Sequence, residues 1–173
     1  MLFRSYVGDG NNVTNSWLLM GAQLGAHVVA ATPPNQYAPN TAVVDRAKAI
    51  AAKTGGKVEL SNDPVSATKG ASVIYTDVWM SMGDDESKRR EKEGALKGFA
   101  VTKELMSGAA KDAIFMHCLP AHRGEEVAAE VIDGQQSVVW REAFHRRTTI
   151  QAILYHLTRG ELGGSEYADL RSR

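Results

Sequence analysis

The chain has 173 residues, of which 43% are hydrophobic and 23% charged, enough for roughly one domain with a packed core. Twenty basic and twenty acidic residues leave no net charge, which argues against a nucleic-acid binder with its usual basic excess. The single cysteine, Cys118, excludes an intrachain disulfide framework and fits a reducing, cytoplasmic setting.

No run approaches the roughly 18 apolar residues of a membrane span, and Met1 to Tyr6 lacks the charged start and apolar stretch of a signal peptide. Short apolar runs then alternate with helical patterns. Tyr6-Val7 reads as a strand ending in the turn Gly8-Asp9-Gly10, and Thr14 to Leu24 as a helix. His27 to Ala31 is a second strand, stopped by Pro33-Pro34. Thr41 to Lys53 places Val44, Ala47, Ile50 and Ala51 on one helical face, stopped by Gly55-Gly56.

Lys57 to Leu60 is a third strand, and Asp63-Pro64 has the cap-then-proline pattern that opens a short helix. Ser72 to Thr76 is a fourth strand, followed by the loop Asp77 to Gly83 and a charged helix from Asp84 to Lys97. Ala113 to Met116 is a fifth strand running into His117-Cys118-Leu119-Pro120, and Ser137 to Trp140 reads as a candidate sixth. His145 to Arg159 is a final helix with Ile150, Ile153, Leu154 and Leu157 on one stripe.

This alternation implies right-handed crossovers and an α/β fold: a doubly wound, mostly parallel, Rossmann-like sheet with helices on both faces, in a single domain. Ligands of such sheets bind beyond the carboxyl ends of the strands. Three unusual loops fall there: Gly8 to Asn15, Asp77 to Gly83, and His117 to Gly124. The chain starts almost inside its first strand and ends on an amphipathic helix without an evident partner, as a portion of a larger architecture would.

Gly8-Asp9-Gly10-Asn11-Asn12 follows a strand and opens a helix. Val13 stands where the dinucleotide fingerprint needs its third glycine, and the second strand ends without an acid. A capped glycine turn accounts for the glycines; two adjacent asparagines suit a carboxylate or amine. In Asp77 to Gly83, an acid at a strand end, a tryptophan and a glycine hinge suit a ligand-closing loop, and an exposed loop with Trp79 and Met82 packed beneath it equally. The charge run from Asp84 to Glu93 is a solvated helix face with i,i+4 pairs.

Cys118 reads as a small buried hydrophobe or as a reactive thiol. Neighbouring strand residues point to opposite faces, so His122 is a better activator for it than His117. One cysteine among scattered histidines lacks zinc-ligand spacing. Arg141, Arg146 and Arg147 are either solvated or anion-facing.

In order and spacing, Gly8 to Asn12, Asp77 to Gly83 and His117 to Pro120 resemble the ornithine transcarbamoylase family, specifically its C-terminal, ornithine-binding half. The resemblance runs from Tyr6 to about Leu157. It implies carbamoyl transfer from carbamoyl phosphate to the δ-amine of L-ornithine, in arginine biosynthesis, with no cofactor or metal and no nucleic-acid or membrane partner. Residues 1–173 would then be the ornithine-binding domain, and the carbamoyl phosphate-binding domain, with its phosphate loop, is not in the sequence.

The resemblance also implies roles. Asn12 would hold the α-carboxylate and amino end of ornithine, Asp77 its amino groups, and Ser81 and Met82 would close over it. Cys118 and Leu119 would lie beside the carbamoyl group and the attacking amine, with Cys118 and Asp77 as catalytic residues. Arg146 would bind carbamoyl phosphate, although Phe144-His145 replaces the Glu-Asn pair that precedes this arginine in the family. Family members are usually homotrimers joined through the other half, so little turnover is expected from this chain alone. The alternatives are a noncatalytic amino-acid-binding module, a transcarbamoylase for putrescine or an acylated ornithine, and a nucleotide-binding sheet.

Overall fold

The computed structural model describes residues 3–80 and 85–159. Five strands form an all-parallel sheet: β1 (Phe3–Val7), β2 (His27–Ala31), β3 (Lys57–Ser61), β4 (Val73–Thr76) and β5 (Ile114–His117), in the order β3-β2-β1-β4-β5. The order reverses between β1 and β4, so the carboxyl ends of these two strands flank the crevice in which doubly wound sheets place ligands. Registers are continuous, with Ser5 opposite both Val29 and Ile74.

Side-chain alternation along the strands divides the core in two. On β2, Val28 and Ala30 face α1 (Asn12–Gln23) and α2 (Thr41–Thr54), in a cluster with Leu18, Ala22, Val44, Ala47 and Ala51. Val29 and Ala31 face the opposite layer, which holds Trp79, Leu96, Phe99, Leu105, Met106, Phe115, Val131 and Ile132. This second layer is built by α3 (Pro64–Thr68), α4 (Arg89–Leu96), α5 (Lys103–Ser107) and α6 (Ala129–Ile132). Sheet burial on both faces explains why the strands read as apolar runs rather than alternating ones.

The helix starts follow capping chemistry. Asn11, Asn40, Asp63 and Thr102 each accept backbone N–H groups of the first turn of α1, α2, α3 and α5, filling donors that have no partner within the helix. Gly21 lets α1 approach β2 closely, since a Cβ there would fall 2.1 Å from Val28 Cγ2.

Two expectations fail. Ser137 to Trp140 is not a strand: Ser137 makes an isolated bridge to Phe115, and Val139 already opens α7 (Val139–Thr158). Gln136 O and Val138 N bond the Phe115 backbone, one rung before the chain turns helical. The charged helix from Asp84 is shorter than its pattern, with a 3₁₀ turn at Glu86–Lys88 before α4, and a second at Lys97–Phe99 after it. Asp84 itself lies outside the described residues.

The chain divides into two compact units, the second beginning at Trp140. Of that unit the described part is the remainder of α7, which begins at Val139 rather than His145. Its expected apolar stripe exists, and Ile150, Ile153, Leu154 and Leu157 are all exposed. Among the described residues no helix is long and apolar enough to cross a membrane.

Candidate functional site

The turn after β1 is tied to its neighbours by backbone geometry. Gly8 N donates to Ala31 O at 3.0 Å, and Gly10 N to Tyr37 O at 2.8 Å. Only a glycine fits at position 10, because a Cβ would lie 2.4 Å from the Ala38 carbonyl carbon and Pro39 N. Thr76 Oγ1 donates to Val7 O at 2.6 Å, joining the tip of β4 to that of β1. These bonds fix the places from which Asn11 and Asp77 project.

Asn11 caps α1 with its Oδ1, accepting from Val13 N at 2.9 Å and Thr14 N at 3.2 Å. That assignment leaves its amide nitrogen free to donate, and Nδ2 bonds Asp77 Oδ2 at 3.0 Å. The other carboxylate oxygen, Oδ1, accepts from Cys118 Sγ at 2.9 Å. Asp77 is 6% exposed, so one nearly buried carboxylate links the tips of β1, β4 and β5. The two donors differ in strength: an amide N–H is an ordinary donor, while a thiol is a weak one.

Asn12 is exposed, at the first position of α1. It joins Cys118 in lining a groove of about 620 Å³ with Trp17, Tyr75 and Met116. Asn11 lines a second, more polar cavity of about 570 Å³ with Asp9, Tyr37, Met80 and Lys92. Lys92 Nζ lies 2.7 Å from Asp9 Oδ2, with both side chains mostly buried. Burial raises the Tyr6 hydroxyl well above its ordinary range, and the nearby Asp77 and Asp9 carboxylates add to this.

Trp79 is buried in the core, as the exposed-loop reading expects, but Asp77, Val78 and Met80 are buried too, so the described part of this segment is not an exposed loop. Ser81 and Met82 lie outside the described residues.

β5 ends at His117, so Cys118 is already beyond the strand. The chain there turns sharply: Leu119 has φ +57°, and the Leu119-Pro120 peptide is cis. His117 is fully buried and Cys118 half-buried. Strand alternation therefore does not govern the pair, and ligand atoms of Asp77, His117 and Cys118 all lie within 4.8 Å of one another. The expectation for His122 is not met: its Nδ1 faces Glu126 Oε2 at 3.8 Å and Glu125 Oε2 at 4.0 Å.

Two groups thus have donor atoms of metal-ligand type close together, Asp77/His117/Cys118 and His122/Glu125/Glu126. In the first, His117 Nδ1 already accepts from Leu119 N at 2.9 Å and the Asp77 oxygens accept from Asn11 and Cys118. In the unit beginning at Trp140, Arg146 is exposed on α7, next to Arg147, whose guanidinium stacks 5.1 Å from the Phe144 ring.

Sequence reasoning missed Asn11, Lys92 and Glu126. The signal for Asn11 was available, since the residue before a helix is the one whose side chain turns back to cap it. Nothing in the sequence marks Lys92, which pairs with Asp9 from another element, or Glu126, which sits against His117 and His122.

A profile of the aspartate/ornithine carbamoyltransferase Asp/Orn-binding domain matches residues 4–157. The ornithine carbamoyltransferase of Symbiobacterium thermophilum is 55% identical over 150 residues, which are 87% of this chain and 48% of that protein. The solved ornithine carbamoyltransferase of Pyrococcus furiosus superimposes with a TM-score of 0.83 at 50% identity, over 88% of this chain and 48% of the other. The anabolic enzyme of Campylobacter jejuni gives 0.85 at 36% identity, over 91% and 51%. The chain spans about half the length of the curated relatives it matches. With a matching profile over most of its length, this chain belongs to the aspartate/ornithine carbamoyltransferase family.

Proposed function

We propose that this chain supplies the ornithine side of a carbamoyltransferase site, in which the δ-amine of L-ornithine attacks carbamoyl phosphate to give L-citrulline and phosphate. The observation that carries this reading is the Asp77 carboxylate, held by Asn11 Nδ2 on one oxygen and by a thiol on the other. An alkylammonium approaching Oδ1 replaces that weak S–H donor with a charge-assisted hydrogen bond. The carboxylate is fixed beforehand by Asn11, so binding does not have to order it.

The chemistry follows from those groups. The amine is a nucleophile only after it loses a proton, and Asp77 and Cys118 are placed to bind and hold that proton. Asn12, at the start of α1, meets the amino-acid end, where a helix N-terminus favours a carboxylate. Leu119 and Cys118 meet the carbamoyl group, Ser81 and Met82 close over the amino acid, and Arg146 binds carbamoyl phosphate. Most of the phosphate-binding groups belong to a second domain, whose presence beside this wall holds the two substrates together. On this reading residues 1–173 are the ornithine-binding domain and work in the cytoplasm, in the homotrimer usual for the family.

Assay of citrulline formation tests this reading. The chain alone is expected to give little or none, and adding a carbamoyl phosphate-binding half from a relative is expected to raise it. Robust turnover by the chain alone contradicts the division of labour, and binding of putrescine or an acylated ornithine in preference to L-ornithine contradicts the substrate. Ornithine binding that never leads to turnover with any added half points instead to a noncatalytic module.

A further inference from the structure

Behind the loop that follows β5 lies a pair of ionisable side chains that the proposed chemistry does not use. His117 and Glu126 are both fully buried, and His117 Nε2 is 3.3 Å from Glu126 Oε1. A buried carboxylate is costly unless it is paired and hydrogen-bonded, so its retention here calls for a task. Glu126 is also held rigidly by its backbone. Val101 N donates to Glu126 O at 2.9 Å, Gly124 N to Val127 O at 2.9 Å, and Val127 makes bridges to both Val101 and Arg123.

The other end of the imidazole reaches the loop. Leu119 N donates to His117 Nδ1 at 2.9 Å. A ring nitrogen that accepts has a lone pair there, so the proton of the ring sits on Nε2, the atom that faces Glu126. Glu126 Oε1 also accepts from His122 N at 2.5 Å. Glu126 Oε1 thus bonds the His122 amide directly and lies at ion-pair distance from the ring whose other nitrogen accepts from Leu119, although Nε2 is not aligned with it for a hydrogen bond. Leu119 is the residue with φ +57°, a conformation that a branched side chain adopts only when its surroundings enforce it.

We propose that Glu126 is a positioning residue: by backing the His117 ring at Nε2 with its buried charge and holding the amide of His122, it sets the 118–120 turn and so the placement of Cys118 and Leu119 against Asp77. The proposal rests on the reading that these residues face the substrate, and deepens it by naming the group that places them. Glu126 acts from behind the loop, and its effect reaches ligand only through Cys118 and Leu119.

The test compares Glu126→Leu, which removes both acceptors, with Glu126→Gln, which keeps an oxygen at Oε1. A second pair divides the ring. His117→Asn keeps an acceptor near Nδ1 for Leu119 N–H, and His117→Gln keeps a donor near Nε2 for Glu126. In the ligand-free chain, the measurements are the Leu119 and His122 amide shifts and the rate of Cys118 alkylation by iodoacetamide. In E126L both amides are expected to lose their hydrogen-bonded shifts and the alkylation rate to rise, while E126Q stays close to the parent. L-Ornithine affinity should fall about tenfold in E126L, as expected for loss of a buried hydrogen-bonding group, and recover in E126Q.

Unchanged amide shifts and alkylation in E126L overturn the proposal. If E126L does not fold, the His117 pair decides: H117N holding the Leu119 shift while H117Q loses it supports the proposal, and equal behaviour of the two overturns it. Should the amide shifts and alkylation move as expected while no form of the chain, the parent included, responds to ornithine, the positioning role stands and the substrate reading fails.

Discussion

The unit ending at Val139 and the helical stretch from Trp140 use the same kind of amphipathic sequence to different ends. In the first, apolar residues at helical spacing such as Leu18, Ala22, Val44 and Ala47 are buried against the sheet. In the second, Ile150, Ile153, Leu154 and Leu157 hold an equally regular stripe, yet each is at least 45% exposed, and Trp140 is 72% exposed. Periodicity specifies which face of a helix is apolar; what that face meets depends on the rest of the fold. Within the first unit the apolar faces of the helices are buried in its own two cores.

The largest effect that separates the two is expected from Phe115→Ala, at the centre of the layer containing Trp79 and Leu105. It should cost about 3–5 kcal/mol in a urea titration, through lost burial and the cavity left behind. Gly21→Ala tests the tighter layer. Its new methyl would collide with the buried Val28, and a destabilisation of about 1–3 kcal/mol is expected from overpacking. A loss no larger than that of an ordinary surface change would show that α1 can move away from β2 at little cost.

Ile153→Ser and Leu154→Ser, at exposed positions of α7, should change the unfolding free energy of the first unit by no more than about 0.5 kcal/mol. A larger loss would break the contrast between the two stretches. The smallest effect concerns the clamp between Arg123 and Asp133, bonded at 2.7 and 2.8 Å on the surface. Arg123 holds the Asp133 carboxyl below its usual range. A depressed folded-state value gives stability that is present above the unfolded value of about 3.9 and lost as pH falls through the folded one. The parent and Asp133→Asn should therefore differ slightly in urea midpoint at neutral pH and converge in strong acid; a gap that persists in acid would assign the difference to something other than this ion pair.

The elements that were legible from sequence are those whose signals are local. Asp63-Pro64 marks a helix start, Gly55 ends α2 in the left-handed conformation, and apolar runs mark the strands. Ser137 to Trp140 misleads because its β-branched residues favour strands, while its place in the chain allows one bridge before α7 begins. The helices Lys103–Ser107 and Ala129–Ile132 are too short for any periodicity to show.

The candidate site divides in the same way. Asp77 and Cys118 could be singled out because they directly follow strands, at the carboxyl edge where doubly wound sheets place ligands. The cap that turns Asn11 rather than Asn12 toward Asp77, and the burial of Glu126 behind His117, arise from contacts between elements. Strand alternation argues against His117 as a partner of Cys118, but it lapses where β5 ends and Leu119 turns the chain.

The central claim is that the tips of β1, β4 and β5 form one wall that receives the amine of an amino acid. Titration of the chain with L-ornithine, followed by backbone amide shifts, tests it most directly. The predicted result is a saturable response in which the amides of Asn11, Asn12, Asp77, Cys118 and Leu119 move together, and which Asp77→Asn abolishes. A saturable response confined to other parts of the chain, or one that Asp77→Asn leaves intact, would contradict it.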